Sequence, residues 1–244
     1  MRKQQGFTLV EIAIVLVIIG LLLGGILRGQ ELIQGARVRN VIDQQNGVRA
    51  AYFAFQDRFR LVPGDIGTLQ VALVGNGVLA STDGAAGGNG QIALTDSSSA
   101  FQNLTATGFL SCSVCTVALQ ASTASNSPTN VYGGVLMIAT DTNLANLTAP
   151  ATFGLALPAQ RTNLKTGNLI PSNVMAEIDL KSDDGNPYTG NFRFSLWFAA
   201  GAATPAQNAC ANGPTAASSP WNNGQAAAPG GAIGGNCGGG TIIN

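Results

Sequence analysis

The stretch "MRKQQGFTLVEIAIVLVIIGLLLGGIL" constrains this chain more than any other. From Phe7 to Leu27 there are 21 residues with a single charge, Glu11, and from Ile12 to Leu27 every residue is apolar or glycine. At ~1.5 Å rise per residue a helix of this length spans about 30 Å, the thickness of a hydrocarbon core. An acid at the centre of such a helix costs about 2.5–3.5 kcal/mol, and less near an end. Glu11 sits near the end, where it is tolerable, but an intramembrane acid still calls for a function and a partner. Arg2 and Lys3 precede the run, which places the N-terminus in the cytoplasm and the rest beyond one membrane span. A secretory signal peptide has a shorter apolar core followed by a small-residue cleavage site. Here no A-x-A pattern follows the run, and the glycine, Gly6, lies before it.

"GFTLVE" resembles the processing motif of type IV prepilins and type II secretion pseudopilins. The resemblance implies that a prepilin peptidase cuts between Gly6 and Phe7 on the cytoplasmic side, and that Phe7 becomes an N-methylated terminus. Glu11 is then the fifth residue of the mature chain. Gly20, within "VIIGLLL", fits the family's pattern as well. Many major pilins carry a proline near the end of the apolar run; here Arg28 ends it and no proline occurs before Pro63.

Cleavage would create an α-amino cation at Phe7, four residues before Glu11. A buried carboxylate needs a cationic partner. Within one helix the pair would stand at i,i+4, with the cation at the unfavourable positive end of the dipole. The resemblance implies instead that Glu11 meets the terminus of a neighbouring subunit and sets register in a filament. The alternative is an ordinary acid in a first helical turn, near the headgroups.

Loss of residues 1–6 leaves 238 residues and, with Arg2 and Lys3 gone, a net charge of −2. Residues 28–60 hold six basic and three acidic groups, and residues 61–244 hold four and eight. A mildly acidic head argues against nucleic acid as its partner. The absence of histidine removes the usual general base and the usual zinc ligand. No phosphate loop, nucleophile–base pair or paired catalytic acids rises above chance, so the expectation is a protein that is not an enzyme.

Residues 28–60 read as an amphipathic continuation of the helix. Val38, Val41, Val48, Tyr52, Phe55 and Phe59 form one stripe, interrupted by Gln45. These spacings suit packing on a core; the aromatics Tyr52, Phe53, Phe55 and Phe59 fill it rather than conduct electrons. Gly29, Gly35 and Gly47 weaken the helix locally, and Pro63-Gly64-Asp65 stops it. In the head the pattern predicts a short helix over 98–106, capped by serines, with Phe101 and Leu104 inward. It predicts a strand over 131–139. A second helix is expected over 171–185, with Pro171 in the first turn, Val174 and Ile178 on one face and Gly185 as its stop. "NFRFSLWFA" (191–199) alternates as a strand. From Gly201 onward, Ala, Gly, Asn and Pro predict irregular loop.

The cysteines are Cys112, Cys115, Cys210 and Cys237. Outside the cytoplasm disulfides persist, and four cysteines allow three pairings. The favoured one is Cys112–Cys115 with Cys210–Cys237, the second closing the loop-rich tail; many pilins carry a C-terminal disulfide loop, so the resemblance agrees. A redox site at "CSVC" would need a neighbouring βαβ unit, and a thiolate zinc site a second close pair. Asp179, Asp183 and Asp184 are the candidate calcium ligands, as in some pseudopilin heads, although Asp-Gly is also a turn signal. The leading expectation is no metal and no cofactor.

These readings give an α+β fold of pilin type: a long N-terminal helix, membrane half plus amphipathic half, on a loop-rich head that contains β-structure. Its parts are a basic leader (1–6), a transmembrane or filament-core helix (7–27), an amphipathic continuation (28–60) and an extracytoplasmic head (61–244). The function implied is a structural subunit of a type IV pilus-like or type II secretion pseudopilus filament. Before assembly it would sit in the bacterial inner membrane with a periplasmic head, and afterwards in a periplasmic or surface filament. Its partners would be copies of itself, other pilin-like subunits, the prepilin peptidase/methyltransferase and an inner-membrane assembly platform. The alternative is a minor or tip pilin acting as an adhesin on the same anchor.

Overall fold

The computed structural model describes residues 9–75, 77–81, 88–118, 120–141, 160–197, 199, 205, 207–211, 221–222 and 235–243. It is α+β, with a long first helix followed by a head of short helices and one small sheet. The contacts divide the chain into two units, 1–39 and 40–244. This boundary falls inside a single helix, whereas the sequence suggested changes of character at 28 and 61.

Helix α1 runs Leu9–Phe59 without a break through Gly29, Gly35 and Gly47. In the first unit the helix is exposed from Leu9 to Arg28, and Val38, near the unit's end, is buried. Leu9, Leu21 and Leu32 are more than 70% exposed, and no neighbouring atom lies within 4 Å of a side chain built at Gly20, Gly24 or Gly25. In the second unit the stripe goes inward: Val41, Val48, Tyr52 and Phe55 are buried and Phe59 is partly buried. Val48, Tyr52 and Phe55 join Ile66, Ile92, Leu136, Ile138, Leu164 and Ile243 in the core of the head, and Phe59 packs against it. The chain leaves α1 at Arg60, whose φ is +56°, and turns at Pro63-Gly64.

Helix α2 (Thr68–Val74) was not anticipated. Helix α3 (Ser97–Ala106) was, with Phe101 and Leu104 fully buried. Its serines do not cap it, however. Asp96 takes the cap position without a side-chain bond, and the Oγ atoms of Ser97 and Ser98 accept the N–H groups of Ser122 (2.9 Å) and Gln120 (3.2 Å). They pin a later segment to the helix start.

The sheet has the order β1-β2-β4-β3 and is antiparallel throughout. Strand β1 is Met137–Asp141, which keeps only the last three residues of the expected 131–139 and runs two beyond it. Val131–Gly134 instead form a turn organised by Asn130, whose side-chain oxygen accepts the N–H groups of Tyr132 (2.8 Å) and Gly134 (3.0 Å). Strand β3 shrinks to Phe192–Phe194; Leu196 is 40% exposed, and Phe198 lies outside the described residues. The two central strands, β2 (Arg161–Ile170) and β4 (Cys237–Ile242), had no sequence forecast. The irregular loop expected from Gly201 onward is therefore corrected at its end, where β4 lies between β2 and β3. A side chain at Gly239 would collide with Met175 and with Phe192, so the glycines of "CGGGTI" let α4 and β3 approach the sheet.

β2 is buried on both faces and carries Lys165. Its Nζ donates to Asp141 Oδ2 (2.6 Å) and Asn163 Oδ1 (2.6 Å), and Asn163 Nδ2 donates to Asp141 Oδ1 (3.0 Å). Burial pulls the Lys165 amine below its ordinary value, opposed by Asp141. Removing one member of such a buried pair is far costlier than removing an exposed one.

Helix α4 (Ser172–Ser182) follows β2, with Pro171 just before its first residue and Val174 and Ile178 buried. It stops at Asp183, before the expected Gly185. The Asp183 carboxylate accepts the N–H groups of Asn191 and Phe192 (2.8 Å for the latter). That bond ties the helix end to the start of β3, and Gly185 falls in the intervening loop.

Candidate functional site: the N-terminal segment and the acidic loop

Two places were singled out by sequence. The first is the start of α1. Glu11 lies in its first turn, where the helix dipole favours a carboxylate. The helix has an 18-residue window of mean hydropathy 2.8, none of it buried. Contiguous apolar surface of this length marks a contact with lipid or with other helices. Gly6 and Phe7 lie outside the described residues.

The second is the loop after α4. Asp179, Asp183 and Asp184 each bring a carboxylate oxygen within 4.8 Å of the others. Their oxygens already hold the loop. Asp184 accepts the N–H of Asn186 (2.8 Å) and the hydroxyl of Thr189 (2.5 Å), and Asp183 accepts the two β3 amides. Asp179, fully buried, accepts the indole N–H of Trp221 at 2.6 Å, and the Gly185 backbone also favours its carboxylate. Calcium takes six to eight oxygens, and four of the six here are committed to the protein.

Trp221 lies in the stretch after Gly201 that the composition predicts as irregular loop. The structure buries it against Phe192 and Phe194, with ring centroids 6.3 and 6.2 Å away. Nothing in its local sequence signals this, since its partners stand far along the chain. The cysteines near it are joined: Cys210, at the end of the short helix α5 (Gln207–Cys210), pairs with Cys237 at the start of β4, Cα–Cα 5.6 Å. Cys112 and Cys115 form the other disulfide, Cα–Cα 5.4 Å. A loop the size of 210–237 contributes about 3–4 kcal/mol in the chain-entropy account.

Burial raises the Asp179 carboxyl from 3.8 to about 6, opposed by the Trp221 hydrogen bond. The folded protein therefore holds this proton more tightly than the unfolded chain. The contribution to stability is fully present below the unfolded value and is lost as pH rises through about 6. Asp179→Asn keeps an acceptor for Trp221 and cannot ionise. Thermal melts between pH 4 and pH 6 should show the variant gaining on the native protein as pH rises. Parallel curves would contradict the assignment.

Residues 1–27 match the family described as the prokaryotic N-terminal methylation motif. The chain thus carries the N-terminus of a type IV prepilin or pseudopilin-type protein, processed at that end. With the apolar helix that follows, this fits a membrane-anchored precursor. No curated protein and no solved structure matches the chain.

Proposed function

We propose that the protein is a structural subunit of a type IV pilus-like or type II secretion pseudopilus filament. A prepilin peptidase releases residues 1–6 and methylates Phe7. Subunits then leave the inner membrane by bundling their α1 helices, with Glu11 paired to the Phe7 amine of a neighbour. The observation that carries this reading is the methylation motif continuing into α1, whose apolar 18-residue window is wholly unburied. Such a surface is stable only against lipid or other helices, which are its surroundings before and after assembly. The head serves as the outer coat, its acids holding a loop rather than a metal.

Antibodies to the head, applied to filaments from cells in which this chain is expressed at its native level, should label the filament body along its length. Label confined to the ends would support the tip-adhesin alternative. Protein that stays in the membrane while filaments form unlabelled would contradict both.

A further inference from the structure

Gln45 breaks the apolar stripe of α1 and is nevertheless only 5% exposed. Among the described residues neither of its amide atoms has a hydrogen-bond partner. One turn later the Nε of Arg49 is also buried and unpartnered, and among the described residues Arg49 makes no ion pair. Both side chains line a cleft of about 260 Å³ whose opposite wall is the end of α4 and the start of β3. A buried amide left unpaired destabilises a fold, and a leucine at position 45 would simply continue the stripe. Glutamine here has a cost that packing does not explain.

We propose that this cleft binds a small α-amino acid with an apolar side chain. Gln45 Nε2 and Arg49 Nε are two donors at i,i+4 on one face of α1, and a carboxylate offers two oxygens to such a pair. Gln45 Oε1 then calls for a donor beside that carboxylate. On the far wall Asp183 commits one oxygen to backbone N–H groups and its charge favours an ammonium over a hydroxyl as that donor. The other cation at the cleft, Lys181, is held by Glu177 at 2.6 Å and does not compete. Ile42, Ile178 and Phe192 supply an apolar surface for the side chain. The volume is below the ~300 Å³ at which pockets for larger ligands begin. This inference does not rest on the filament reading.

The test is thermal unfolding of the full mature protein in detergent micelles with L-leucine, L-valine or L-methionine, and with 4-methylpentanoate, which lacks the amino group. At least one amino acid should raise the Tm in proportion to the logarithm of its concentration, and 4-methylpentanoate should not. Arg49→Met should weaken the response at least about tenfold. Gln45→Leu should abolish it while raising the Tm of the unliganded protein. No rise with any of the three amino acids, an equal rise with 4-methylpentanoate, or a response that survives Arg49→Met would each overturn the proposal.

Discussion

A chain carrying Glu11→Val as the only copy of this subunit is expected to insert in the membrane, be processed and fail to assemble. Valine makes the apolar run more uniform, so insertion is not weakened. The head does not depend on residue 11 for its core, which is drawn from residue 48 onward. What the variant lacks is a counter-charge for the Phe7 amine once that amine is enclosed by neighbouring helices. Removing one partner of an ion pair buried in this way costs about 3–5 kcal/mol, against a fraction of that for an exposed pair. Filament counts, or secreted product if the filament serves secretion, should fall at least about tenfold. An acid that merely sits at headgroup level predicts little change. Normal assembly by a processed Glu11→Val subunit would remove the pairing role.

Gly6→Val should act one step earlier and as strongly. The bulkier residue at the cleavage position should leave an uncut precursor in the inner membrane, with Arg2 and Lys3 still holding the N-terminus on the cytoplasmic side. The α-amino group then stays on Met1, and Phe7 offers Glu11 no cation. Both head disulfides should form as in the native protein, because they lie in a unit that begins at Asn40. An immunoblot should show only the longer species and electron microscopy no labelled filaments. A mature-length Gly6→Val protein would contradict the assignment of the cleavage position.

The long helix was legible because its two signals are local: an unbroken apolar run, then side chains at steps of three, four and seven. The same local periodicity exposed α3 and α4. The sheet was much less legible. Its central strands, "RTNLKTGNLI" and "CGGGTI", look polar and glycine-rich because of what they touch. Lys165 is satisfied by Asp141 on the next strand. Gly167, at φ +80°, lies so close to Gly134 and Val135 that any side chain would collide with their backbone. The glycines of β4 leave room for α4 and β3. Propensity reads such residues as loop, and only the tertiary neighbours reverse it. Trp221 and Asp179 meet across 42 residues for the same reason. Gln45 was visible as an interruption of the stripe, but its cleft has walls from distant segments and had no local signature.

The central claim is that this chain is a processed, filament-forming subunit, and the mass of the protein within sheared filaments tests it most directly. The account predicts an intact chain beginning at a singly methylated Phe7, with all four cysteines oxidised. A chain in those filaments that still carries Met1–Gly6, or one whose Phe7 is unmethylated, would contradict it.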